Sequence, residues 1–283
     1  MNLKQPVIVT TKQNICGMNI RKLLLENWKF KETNDLFDST PIYQYKNIRL
    51  ILSDKDVIEA DHLDSLQADL LLFGSRHKSE ANQPSLLTHV TGNFGPDATH
   101  GGNSFELAYV STRAIRESYL SLMEQRIQNN LTEFDVTVEA THHGPTSLKS
   151  PLLFVEVGST EEEYNNLNAV TAVAKTLMYI CLNKKDETII PSICFGGGHY
   201  TTRFNELMEI TNVAIGHILP KYHKDNLTSS IVEQMIDKTI EKVKWAIIDR
   251  NSLNATLVKI IEDGCSTRDV EIIKARDIKY EKY

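Results

Sequence analysis

No run of about 18 apolar residues occurs anywhere in the 283-residue sequence, so a membrane-spanning helix is not expected. The opening segment MNLKQPVIVTTKQNI lacks a signal-peptide profile, and a cytoplasmic protein without membrane contact is the resulting expectation. Cysteine is scarce: Cys16, Cys181, Cys194 and Cys265 stand far apart and never form a CxxC pair. That argues against a disulfide scaffold or a thiolate zinc knuckle, and reduced, buried thiols fit better. The common catalytic signatures are missing too. There is no GxSxG elbow, no GxxxxGK[ST] phosphate loop, no GxGxxG dinucleotide turn and no HExxH zinc-protease helix. Repeats, long charge runs and Pro/Ser linkers are also absent.

A formal charge of −6 makes whole-surface attraction to long nucleic acid weak. It does not exclude an enzyme that grips one end of an RNA, which needs only a local basic rim. With 41% hydrophobic residues the chain can bury a substantial core. No domain boundary announces itself, so residues 1–283 read as one α/β unit, with room for a small subdomain; Pro220 and the KYHK stretch are the least poor seam.

What the sequence does have is histidine in particular places. LLTHVTGNFGPDATHGGN (86–103), VTVEATHHGPTSLKSP (136–151) and ICFGGGHYTTRF (193–204) each end an apolar run in glycine, proline and imidazole. LLFVEVGSTEEEYNN (152–166) ends another in Glu156, Gly158 and acids. Strand ends converge polar groups on one rim, so His89, His100, His142, His143 and His199 are expected to build a single site.

The pattern predicts strands at 6–10, 47–53, 68–74, 134–139, 152–157 and 189–195, and helices over 19–28, 104–129, 168–182 and 227–243. Segments 245–248, 256–262 and 270–275 fit short strands or helix ends equally. Such alternation predicts an α/β fold with a mixed or parallel sheet flanked by helices.

Adjacent His142 and His143 cannot point the same way from extended backbone, so one is expected to act and the other to orient it or bind substrate. Either alone can equally cap a turn. Gly196-Gly197-Gly198 can form an anion nest or a plain bend; His199 directly after it favours a site. Tyr200 can stack on a sugar or base, or cover the core, and Arg203 and Lys221 can reach phosphate or simply face solvent. Gly92 and Asn93 offer backbone and amide groups near a ligand. Imidazoles with Glu139, Glu156 or Asp97 can bind zinc, but no regular spacing decides between metal and no metal. Ser159 or Thr160 is expected to cap a helix entered by Glu161–Glu163, while Glu156 faces the site.

THVTGNFG (88–95), EATHHGPTS (139–147), LLFVEVGSTEEEY (152–164), CFGGGHYTTRF (194–204) and VAIGHILPKY (213–222) together resemble the archaeal-type D-aminoacyl-tRNA deacylases, over roughly residues 5–275. Thr201-Thr202 stands where that family usually carries a small residue and proline. The resemblance implies an α/β fold similar to phosphorylases, certain hydrolases and peptidyl-tRNA hydrolase. It also implies a monomer binding two zinc ions, and hydrolysis of the ester between a D-amino acid, or mischarged glycine, and the tRNA 3′ end. On that reading His142, His143, His199 and Glu156 are the expected catalytic groups, with His89, His142, His199 and Glu156 as metal ligands. Gly92, Asn93, Gly196–Gly198, Tyr200, Arg203 and Lys221 are the expected substrate contacts, and the amides near Gly92 and Gly196 the expected oxyanion donors. Two rival classes stay open: a zinc-dependent peptidase or nucleoside-processing hydrolase, and a non-enzymatic RNA- or nucleotide-binding protein.

Overall fold

Six consecutive buried residues, Pro6–Thr11, open the fold as strand β1. They lie between two parallel neighbours, and a strand covered on both faces needs an unbroken apolar run. The structure, a computed structural model, describes residues 3–183, 188–249 and 253–279. The chain divides into two units. Unit 1 gathers the described parts of Met1–Thr88, Glu117–Thr137 and Ser150–Lys185; unit 2 those of His89–Arg116, Val138–Lys149 and Asp186–Tyr283. The seam considered at Pro220 lies inside unit 2.

Unit 1 is built on an eight-stranded mixed sheet. Its strands are β1, β2 (Lys31–Phe37), β3 (Thr40–Tyr45), β4 (Ile48–Ser53), β5 (Leu70–Lys78), β6 (Ser85–His89), β7 (Asp135–Val138) and β8 (Leu152–Ser159). Their order is β2-β3-β4-β1-β5-β8-β6-β7. β1, β4, β5 and β8 run parallel, while β2 and β3 form an antiparallel hairpin on β4. Sequence pattern missed that hairpin because β2 is polar and mostly exposed. Its two-residue loop, Asp38-Ser39, has φ of 46° and 59°, the twist that suits a tight hairpin.

Helices α1 (Ile15–Asn27) and α4 (Leu167–Leu182) pack on each other and on the central strands. Asn14 caps α1 by accepting the Gly17 N–H at 2.9 Å, and Asn166 caps α4. Gly74 lets both helices close on β5: a Cβ there would stand 3.1 Å from Leu177 and 3.2 Å from Ile20. Phe73 and Phe154, partners across β5 and β8, stack with centroids 4.4 Å apart and are fully buried. Each such ring contributes roughly 1.5–3 kcal/mol through burial.

α2 (Thr112–Gln128) starts eight residues later than the pattern predicted from Ser104. Residues 106–110 run extended instead: Ala108 donates to Thr91 O, and Val110 pairs with Thr239. Leu107, Ala108 and Val110 are buried there, so their spacing imitated a helical stripe.

Unit 2 carries a four-stranded parallel sheet, β10 (Val213–Leu219), β9 (Ile190–Phe195), β11 (Trp245–Ile248) and β12 (Glu271–Lys274), in that order. α5 (Thr202–Ile210), α6 (Ser229–Asp237) and α7 (Ala255–Cys265) complete it. The sequence pattern did not predict α5, and it made α6 too long. Residues 256–262, left open between strand and helix, belong to α7. Phe94, Phe195, Leu219, Ile231, Met235 and Ile261 share one buried cluster. α3, a single turn at Glu161–Tyr164 in unit 1, has the predicted cap: Thr160 and Glu163 form a reciprocal capping box. Among the described residues no helix is long and apolar enough to cross a membrane.

Candidate active site

β7 leads directly into Glu139-Ala140-Thr141-His142-His143, and hydrogen bonds on both sides hold this segment. Ala140 donates to His199 O at 2.8 Å, Thr201 donates to Val138 O at 3.2 Å, and Thr141 donates to Ile218 O at 3.1 Å. The THHGP and GGGHY motifs, some 55 residues apart in sequence, are therefore paired main chain. The THVTG motif joins them: Gly92 donates to His143 O at 2.8 Å, and Gly144 to His100 O at 3.0 Å. Gly144 permits that approach, since a Cβ would stand 2.3 Å from the Gly102 nitrogen.

The convergence brings four imidazoles together. Ring centroids are 4.3 Å apart for His89 and His142, 4.5 Å for His142 and His143, and 4.8 Å for His142 and His199. His143 has φ of 45°, and this left-handed backbone lets two sequential histidines face one another, which extended backbone would forbid. The Nδ1 atoms of His142 and His143 lie 2.8 and 2.6 Å from the carbonyls of Ala140 and Gly144. A carbonyl only accepts, so each Nδ1 carries the proton and each Nε2 keeps its lone pair.

Electrostatics favour neutral rings. Burial first, then the neighbouring His89, His143 and His199, push His142 well below the ordinary histidine pKa. Burial brings His89 down to about 4 against the opposing pull of Glu139. Neutral imidazoles that keep a nitrogen lone pair are what a divalent cation binds. His89, His142 and His143 offer ligand atoms within 4.8 Å of one another, and so do Glu139, His142 and His199.

His199 also belongs to a hydrogen-bonded line. Its Nε2 lies 2.9 Å from Glu139 Oε1, and its Nδ1 lies 3.0 Å from the Tyr222 hydroxyl. The carboxylate must accept, so Nε2 donates; Nδ1 then accepts the Tyr222 O–H. Desolvation, with the Glu139 charge second, pushes the Tyr222 phenol up to about 12, so it stays a donor.

Sequence reasoning had weighed Glu139 only as one possible zinc ligand and had missed Tyr222. The available signals were an acid ending an alternating strand and an aromatic closing the LPKY motif.

The other expected residues have varied surroundings. Glu156 lies in unit 1, buried in β8, 3.9 Å from His77 Nδ1. The amides of Gly92, Asn93 and Gly196 already donate to carbonyls of His143, Glu106 and Leu219, each at 2.8 Å, so they are not oxyanion donors as they stand. The Asn93 side chain braces the Gly101 and Asn103 carbonyls. Gly196 and Gly197 take φ of 112° and 77°, which form the bend that presents His199. Beside it Tyr200 is exposed, with its ring edge-on to His199 at 5.3 Å. Arg203 pairs with Glu206 at 2.9 Å and reaches Ala275 O, whereas Lys221 is exposed. The His100 side chain is exposed and contributes its carbonyl. His217 is fully buried, 3.0 Å from Ala108 O, a core histidine outside the cluster.

Known proteins are similar to this chain over nearly its whole length. A crystal structure of a conserved protein of unknown function, AF0625, superposes with a TM-score of 0.89 at 29% identity, covering 97% of this chain and 96% of that one. Curated D-aminoacyl-tRNA deacylases are similar in sequence. That of Thermococcus kodakarensis is 36% identical over 86% of this chain and 90% of its own. That of Pyrococcus furiosus is 34% identical over 95% and 99%. The family profile described as D-aminoacyl-tRNA deacylase matches residues 64–273, a span containing all four converged histidines, Glu139 and Tyr222. The chain belongs to the D-aminoacyl-tRNA deacylase family.

Proposed function

We propose that this protein hydrolyses the ester joining a D-amino acid to the 3′ end of tRNA, with the histidine cluster of unit 2 as its hydrolytic centre. The observation that carries the reading is the Tyr222–His199–Glu139 line set beside neutral His142. Glu139 orients His199 by accepting its Nε2–H, so Nδ1 can take a proton from the attacking water through the Tyr222 hydroxyl. The water oxygen bonds to the ester carbon, the carbon–oxygen bond to the ribose breaks, and His199 returns the proton to the departing ribose oxygen. Family membership supports the ester substrate. A glycyl ester, lacking a side chain and so without handedness, belongs to the same reading.

The donor set fits zinc, and His142 with either His89 and His143 or Glu139 and His199 would hold it. Bound there, the ion would supply Lewis-acid polarisation of the carbonyl or a water of lowered pKa. The two ligand sets share His142, whose Nδ1 is committed to Ala140 O, leaving one nitrogen to give. Either of these sets would hold an ion through His142, and the family resemblance implies two ions in all. A cytoplasmic monomer completes the proposal, with charged tRNA as its only necessary partner.

Incubating the protein with D- and L-aminoacyl-tRNA, with and without a chelator, tests it. Rapid loss of the D ester, survival of the L ester, and arrest by chelation reversed by zinc are expected. Equal turnover of both hands, or none, overturns the reading.

A further inference from the structure

β5 ends in Arg76-His77-Lys78, and its parallel neighbour β8 ends in Gly158-Ser159, with Lys78 opposite Ser159. Alternation along β5 turns His77 inward and leaves Arg76 and Lys78 exposed on the other face. At these carboxyl ends unit 1 has a pocket of about 290 Å³, lined by Arg76, Lys78, Ser159, Thr160, Glu161 and Tyr164 among others. Open α/β sheets take their ligands in such a place.

Most of the polar wall is already engaged. Ser159 Oγ donates to Gln83 O at 2.7 Å, the Tyr164 hydroxyl lies 2.7 Å from His77 O, and the Thr160 N–H and hydroxyl both go to Glu163 at 2.7 Å. The Arg76 and Lys78 side chains differ, because neither makes an ion pair or hydrogen bond among the described residues. Glu161 is the one acid of the lining, so the pocket remains positive within a chain of net charge −6.

We propose that this pocket binds one backbone phosphate of the tRNA substrate, with Arg76 as a two-pronged donor and Lys78 as a point charge. The proposal rests on the deacylase reading above, which supplies an RNA. Two cations facing open solvent hold a free anion poorly. They serve a phosphate delivered at high effective concentration by a polymer already bound elsewhere. Phosphate contacts of this kind set affinity and register, not the chemistry of the ester.

The test compares wild type with Arg76→Gln/Lys78→Gln on two substrates, D-aminoacyl-tRNA and the D-aminoacyl ester of adenosine. For the variant, KM for the tRNA should rise roughly tenfold or more with kcat unchanged, while adenosine-ester hydrolysis and the thermal midpoint stay the same. The slope of log affinity for uncharged tRNA against log salt should fall by about 1 to 2. Glu161→Gln should move KM the other way. Unchanged tRNA KM and salt slope in an active variant overturn this proposal and leave the deacylase reading standing. Saturable binding of inorganic phosphate that the double variant abolishes also overturns it, in favour of a small-anion site. Wild-type protein that hydrolyses neither ester overturns the deacylase reading beneath it.

Discussion

The Nε2 of His199 lies 2.9 Å from a carboxylate oxygen of Glu139, a residue only 1% exposed. A buried carboxylate on one ring nitrogen fixes the tautomer and leaves Nδ1 basic. Glu139→Gln keeps an acceptor in place but removes the charge from the group that orients His199. We expect kcat to fall by about 10²- to 10⁴-fold, the range of general acid–base catalysis, with KM nearly unchanged. Near-wild-type turnover would remove Glu139 from the mechanism.

Tyr222 reaches the other face of the same ring. Tyr222→Phe keeps the ring and removes the hydroxyl that lies 3.0 Å from His199 Nδ1. Without the hydroxyl the hydrogen-bonded proton path to Nδ1 is broken, so kcat should fall roughly tenfold. Unchanged kcat would show that the hydroxyl is only a surface contact.

Metal content tests the cluster as a zinc site. Elemental analysis of zinc-loaded protein should find an ion bound through His142, which has a single free nitrogen to offer. His142→Ala should lose it, with affinity reduced at least 10- to 100-fold and the thermal midpoint of the metal-free protein little changed. Full retention of zinc by that variant would place the ion elsewhere.

Acid should destabilise unit 2 through His217. Burial, the dominant cause, brings its pKa down to about 3, so the folded protein holds it neutral while the unfolded chain protonates near 6.5. The unfolded state then binds the extra proton, so stability is full above pH 6.5 and declines as pH falls towards 3. At pH 5 this group alone accounts for about 2 kcal/mol. Denaturant unfolding of His217→Gln should show a flatter pH dependence across that window, and an unchanged slope would count against the assignment.

How much was legible in the sequence varied by segment. β1, β5 and the start of β8 were readable because strands buried on both faces demand unbroken apolar runs. The β2–β3 hairpin was not, because its residues are polar and its turn depends on the backbone twist of Asp38 and Ser39. Helix α2 was placed too early because Leu107 and Val110 are buried from an extended segment, which local periodicity cannot distinguish from a helix.

The four histidines that converge were all named from their motifs, yet nothing local could say that His143 would adopt φ of 45° and turn towards His142. Nor could it say that Ala140 would donate to the His199 carbonyl.

Residue chemistry belongs to the chain itself: which side chains can bind metal or move protons, and which glycines permit a bend. Partnership does not. His199 sits between Glu139 and Tyr222, and His217 is a core residue, because tertiary packing settled how deeply each imidazole is buried and what its two nitrogens meet. Those interactions join segments tens of residues apart, and the sequence order of either segment carries no record of the distance between them in space.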